Sequence, residues 1–148
     1  MLVLVCFLVT GCGKTTDTDI LKKLDKKVDD GKGYVMTATL EVLNNDDIYN
    51  YEVETAYKKD DYYKITLTNT ANSHEQIILK NDDGVYILTP SLNKSFKFQS
   101  DWPYNNSQVY LLQSIISDLE NDDKRTFKKD DKDYVFTSNV NYPNNRSL

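Results

Sequence analysis

The side chains in this 148-residue sequence that could do chemistry are mostly aspartates in pairs. Asp46-Asp47, Asp60-Asp61, Asp82-Asp83, Asp122-Asp123 and Asp130-Asp131 each set two carboxylates side by side. Two carboxylates at one site can work as general acid and base on a glycosidic bond. Each of these pairs, however, falls where the hydrophobic pattern breaks. There an aspartate stabilises a bend by accepting from nearby backbone N–H groups. Turn formation is therefore their expected role. None follows the D-x-[DN]-x-[DN]-G spacing of a calcium loop. His74 is the one histidine, placed beside Glu75 at the start of a strand pattern. It has no partner at triad or metal-ligand spacing. We expect no catalytic residue, no metal and no cofactor, and read the chain as not an enzyme.

The two cysteines lie in the first twelve residues. Leu2 to Val9 (LVLVCFLV) is continuously apolar, and Thr10-Gly11-Cys12 follows. The run is too short to span a bilayer as a helix, which takes about 20 residues. It fits the apolar core of a secretory signal. The ending Val9-Thr10-Gly11-Cys12 resembles a bacterial lipobox. There a signal peptidase cuts ahead of the cysteine, and the thiol becomes the thioether of a diacylglyceryl anchor. Small residues before the cut let the extended backbone enter the peptidase site. Residues 1–11 are thus expected to be a signal peptide, Cys12 the lipidation site and 12–18 a polar tether. No Lys or Arg precedes the apolar run, so the true start is expected upstream of Met1. With Cys6 removed and Cys12 acylated, the mature domain has no thiol for a disulfide. Gly11-Cys12-Gly13-Lys14-Thr15-Thr16 imitates the end of a phosphate-binding loop. The first glycine of that motif would be position 8, which is Leu8, and no βαβ unit surrounds it. Nucleotide binding is not expected.

Composition narrows the class further. The net charge is -5, with lysines scattered among acidic residues. Nucleic acid, which selects a basic stripe, is not an expected partner. The 11 Tyr and 5 Phe suit a pleated, half-buried surface. A chain of this length with 39% hydrophobic residues can build one core.

The elements that would position these groups are mostly short alternating strands. Thr18 or Asp19 can cap a helix over Ile20 to Asp29, ended by Gly31 or Gly33. Ile20, Leu21, Leu24 and Val28 share one face of it. Lys22, Lys23, Lys26 and Lys27 take the other, read as a solvated face rather than a site for anionic lipid headgroups. Strands are predicted over Tyr34 to Leu43, Ile48 to Lys58, Tyr62 to Asn69, His74 to Lys80, Val85 to Thr89 and Ser95 to Gln99. Asp83-Gly84 supplies the positive φ of a tight hairpin turn. Short turns between consecutive strands imply an antiparallel meander.

Tyr86 to Leu119 interrupts that run. It holds the only tryptophan, in the loop Trp102-Pro103-Tyr104, and a second helix capped by Asn106 or Ser107 and running to Glu120. Val109, Leu112, Ile116 and Leu119 form its stripe, widened by Leu111 and Ile115, as in a helix buried on more than one side. Such a helix must lie on a sheet face or plug a curved sheet. The Trp102, Pro103, Tyr104 loop is either core filling or a partner contact. Arg125 to Lys129 and Tyr134 to Val140 read as a final hairpin. Asn141-Tyr142-Pro143-Asn144-Asn145 turns toward a further strand, so the natural protein is expected to continue.

The apparent lipobox, one helix, a long meander, an inserted helix and more strands together resemble the LolA/LolB-like lipoprotein-carrier fold. Tyr86-Ile87-Leu88-Thr89-Pro90-Ser91-Leu92-Asn93-Lys94-Ser95-Phe96-Lys97-Phe98, then Trp102-Pro103, is similar to spore-germination lipoproteins and lipoprotein-sorting homologues of spore-forming Gram-positive bacteria. The Asn141 to Asn145 turn adds to the likeness, which covers residues 19–148. It implies an α+β, mainly antiparallel fold, a curved incomplete β-barrel wrapped round the inserted helix. It implies a non-catalytic, membrane-anchored envelope protein that supports a cell-wall-modifying enzyme in spore germination and cortex peptidoglycan remodelling. The alternative is a carrier whose cavity, lined by Met36, Leu40, Val53, Ile65 and Leu67, holds acyl chains; a homodimer is also open.

Overall fold

The structure, a computed structural model, describes residues 15–98 and 110–139. Helix α1 (Asp17–Asp30) opens on a reciprocal cap. The Thr16 hydroxyl accepts from the Asp19 N–H, and the Asp19 carboxylate accepts from the Thr16 N–H. This box satisfies two backbone donors at once and starts the helix ahead of the predicted Thr18 or Asp19 cap. Gly31 closes α1 with extended backbone. Gly33 then enters the first strand so close to its neighbour that a Cβ there would strike the Tyr57 carbonyl oxygen. Glycine is required by that approach rather than by a left-handed cap.

Six strands follow in a simple meander: β1 (Gly33–Asn44), β2 (Asp47–Lys58), β3 (Tyr62–Asn69), β4 (Glu75–Asn81), β5 (Gly84–Thr89) and β6 (Lys94–Lys97). They pair antiparallel, each with the next, in one open sheet. Their limits lie within about two residues of the alternation read from sequence, because period-2 patterning and Asp/Asn turns fix the strands locally. Asn45, Asp60, Asp61 and Asp131 take positive φ, and Gly84 does so at 127°. The paired aspartates therefore stand at turns, as their spacing predicts. A single 3-10 turn (Pro90–Leu92) links β5 to β6.

One face of the sheet, the inner face, carries the core. Val53, Tyr63, Ile65, Leu67, Ile78 and Val85 alternate inward from β2 to β5 and bury with Leu111. The second helix, α2 (Leu112–Asn121), is shorter than expected. A helix running unbroken from Asn106 or Ser107 is corrected here: Leu111 is extended, with φ -108° and ψ 133°. Its side chain is needed in the sheet core, which a helical backbone at that point would turn away. Asn106, Ser107 and Val109 lie outside the described residues. Leu21 of α1 and Ile116 of α2 are each 1% exposed where the helices pack together. Each such burial is worth roughly 1.5–3 kcal/mol.

A separate hairpin, β7 (Thr126–Asp130) with β8 (Asp133–Thr137), completes the described chain. It stops at Thr137, short of the predicted Val140. The reason is Asp122, whose carboxylate accepts from the Ser138 hydroxyl at 2.6 Å and the Asn139 N–H at 3.2 Å. Those groups leave the ladder to bind the end of α2. The fold is α+β with an open, mainly antiparallel sheet.

Candidate functional site

The inner face has two ends. At the first, Tyr34 of β1 stacks on Tyr57 of β2 with ring centroids 5.1 Å apart. The Tyr34 hydroxyl donates to Gln113 Oε1 at 2.6 Å and accepts the Leu112 N–H at 2.9 Å. Leu112 begins α2, so a tyrosine 78 residues away supplies the cap that no local side chain provides. The Thr55 hydroxyl, fully buried, donates to the Tyr110 carbonyl at 2.8 Å. Burial pushes the Tyr34 and Tyr110 hydroxyls above their ordinary pKa. These bonds hold Leu111 down among Val53, Ile65 and Ile78. The first end is closed.

Among the described residues, the inner face beyond Tyr110 is not filled in the same way. A hollow of about 480 Å³ opens there, walled by Leu40, Val42, Tyr51, Leu67, Leu92 and Tyr110. Asn69, Asn72, His74 and Gln76 stand at its polar side. This is a mainly apolar recess with a few amide groups, an imidazole and the Glu75 carboxylate at hand, an arrangement of the kind that takes a largely apolar ligand. His74 is exposed at this rim. Among the described residues, no group of three or more His, Cys, Asp or Glu could hold a metal ion.

The residues singled out as a cavity lining divide between the two ends. Leu40 and Leu67 line the hollow, and Leu67 belongs to the buried core as well. Val53 and Ile65, 3% and 0% exposed, lie in the filled core with Leu111. Met36 is half-buried opposite Thr55. Val42, Tyr51, Leu92 and Tyr110 were not in that set. The inward alternation of Val42 and Tyr51 was the available signal; nothing local marked Leu92 or Tyr110. Cys12, Trp102, Pro103 and Tyr104 lie outside the described residues.

The chain is similar to a sporulation protein. It is 41% identical over 145 residues to the sporulation protein YdcC of Bacillus subtilis (strain 168), a match over 98% of this chain. The same match takes in 43% of YdcC, so the chain spans less than half the length of that curated relative. No family model matches the chain, and no solved structure matches it. Both ends of the inner face fall within a match that covers nearly all of the chain.

A latch joins the helices away from the hollow. The Arg125 guanidinium donates to the Asp17 carboxylate at 3.0 and 2.9 Å and to the Leu119 carbonyl at 3.1 Å. It thereby ties the start of α1 to the last turn of α2, where a cation is favoured by the helix dipole. The Thr18 N–H, with Arg125 beside it, holds the Asp17 carboxyl below its ordinary pKa. The Ser138 hydroxyl and the Lys124 N–H do the same for Asp122. No helix among the described residues is long and apolar enough to cross a membrane.

Proposed function

We propose that this chain is a sporulation-related, non-catalytic binding or adaptor module, a lipoprotein anchored through Cys12 to the outer side of the cell membrane. Its setting is spore germination and cortex peptidoglycan remodelling, and its partner a cell-wall-modifying envelope protein. The single observation that carries this reading is Leu111. It fills the inner face with Val53, Ile65 and Ile78. In a LolA-like incomplete barrel that face would be the place for acyl chains, and a filled face leaves surface contacts as the working part. The similarity to YdcC supports the sporulation setting.

A second reading, a carrier of lipid or lipoprotein acyl chains, is favoured by one observation of its own. The hollow of about 480 Å³ beside Leu40 and Leu67 is a recess that an acyl segment would fit. Native mass spectrometry on the full-length protein, gently extracted from envelopes of sporulating cells, separates the two. A bound second polypeptide without added lipid is the expected result. Lipid mass beyond the Cys12 modification, shed on activation, would replace the adaptor with the carrier. Cys12→Ala is expected to release the protein from membranes; continued membrane binding would remove the lipid anchor from the proposal.

A further inference from the structure

The sheet has a second, outer face, whose Glu75 at the start of β4 also borders the hollow. Register places Ile77 of β4 beside Leu88 of β5, and Leu79 beside Tyr86. With their inward neighbours Ile78 and Ile87, β4 and β5 read as unbroken apolar runs. Strands have that character when both faces are covered. Among the described residues Tyr110 and Leu111, which lead into α2, cover the inner face, and α1 packs on α2. A trough of about 640 Å³ on the β1 to β4 part of the outer face is lined by sheet residues alone.

The charges of this face are sorted along the strands. Glu52 and Glu54 of β2 and Glu75 of β4 lie toward the β1–β2 turn, among Thr37, Thr39, Thr66 and Thr68. Lys58 of β2, Lys64 of β3 and Lys97 of β6 lie toward the other end. All six are exposed. Lys58 and Lys97 lie over the rings of Tyr62 and Tyr86, at 5.5 and 5.6 Å. The three glutamates make no salt bridge among the described residues. The aspartates at the lysine end are partly engaged already, Asp61 with Lys80 and Asp82 with the Tyr62 hydroxyl.

We infer that the outer face is self-complementary and takes a second copy of this chain. The two sheets pack face to face about a two-fold axis that lies in the interface, perpendicular to the strands, and crosses between Glu54 and Ala56. That operation reverses strand direction while keeping β4 and β5 opposite themselves. Ile77 then buries against Leu79 of the partner subunit, and Leu88 against Tyr86 of the partner subunit, each twice over. Glu52 of each copy meets Lys58 of the partner subunit, twice over. A two-fold axis parallel to the strands would instead set glutamate against glutamate, which like-charge repulsion disfavours. Four strands about 4.8 Å apart and roughly eight residues long cover about 500 Å² in projection, of the order that one side of a stable interface needs.

Multi-angle light scattering on the full chain in a mild detergent, corrected for bound detergent, tests this. A dimer at tens of micromolar is expected, with Leu79→Asp a folded monomer by circular dichroism. Glu52→Lys alone and Lys58→Glu alone are each expected to weaken the dimer about tenfold or more, and the double exchange to restore it. The exchange distinguishes register from folding, because both positions are exposed. A wild-type monomer at every concentration would overturn the inference. So would a dimer indifferent to Leu79→Asp, or a double exchange that fails to restore pairing.

Discussion

The closed and open ends of the inner face are built from the same strands and the same alternation, yet they behave as different materials. At the closed end Tyr34, Thr55 and Leu111 bring α2 onto the sheet, and Ile65 is fully buried. At the open end Leu40 and Val42 continue the same inward row of β1, but they face a hollow. The difference is not hydrophobicity, since both ends are apolar and aromatic. It is whether a covering segment has polar groups on the sheet to hold it. Two hydroxyls, one from Tyr34 and one from Thr55, hold the covering segment among the described residues.

That comparison can be broken most severely at its centre. Ile65→Ala is expected to lose about 3–5 kcal/mol of stability in denaturant unfolding, because the site is fully packed and cannot collapse. Leu40→Ala, half-exposed beside the hollow, should cost about 1 kcal/mol or less. Equal losses would show that the two ends do not differ in packing. Thr55→Val keeps the shape and removes the donor to the Tyr110 carbonyl. A cost of about 1–3 kcal/mol is expected in the same measurement, as for an unmet buried polar group. Tyr34→Phe should cost about 1 kcal/mol. Its sharper signature is faster hydrogen exchange at the Leu112 amide, with little change at Ile78.

The remaining effect is set by pH. Asp17 and Asp122 have lowered pKa values, so their contribution is complete above the ordinary value of 3.8. It is lost as pH falls below 3.8 through the lowered values. Exchange of amides at the α1, α2 and hairpin corner should therefore rise on acidification before that of the sheet. Arg125→Gln should abolish most of the Asp17 share. An identical acid response in that variant would remove the latch from the account. Tyr63, pushed up to about 12 by burial and then by Asp61, has the opposite sign. Its contribution is full below pH 10 and fades as pH rises toward 12, and Tyr63→Phe should lessen that alkaline loss.

Much of this architecture was legible along the chain. Strand alternation such as Tyr63, Ile65 and Leu67 carries its own face assignment, because a pleat has a strict period of two. Asp-rich breaks mark turns because their side chains bond locally, as Asn81 does in accepting from the Asp83 N–H at 3.0 Å. The start of α2 was not legible. Its cap comes from Tyr34 and its preceding residue is drawn into the core, and neither leaves a local trace. The hollow was half legible: Leu40 lines it and Leu67 lies between it and the core, while Val53 and Ile65, on the same inward pattern, are in the filled core alone.

Local patterning along the chain sets the order of the elements, the antiparallel pairing of neighbours and the inward and outward sets. Each of those depends on contacts or periodicities spanning a few residues. The three-dimensional packing decided which part of the inner face is filled among the described residues. It also decided that α1 and α2 are latched by Arg125 and that β8 ends at Thr137, where Asp122 takes the Ser138 hydroxyl. Those choices depend on where distant polar groups meet. Tyr34 and Leu112 are 78 residues apart, and periodicity carries no information over that span.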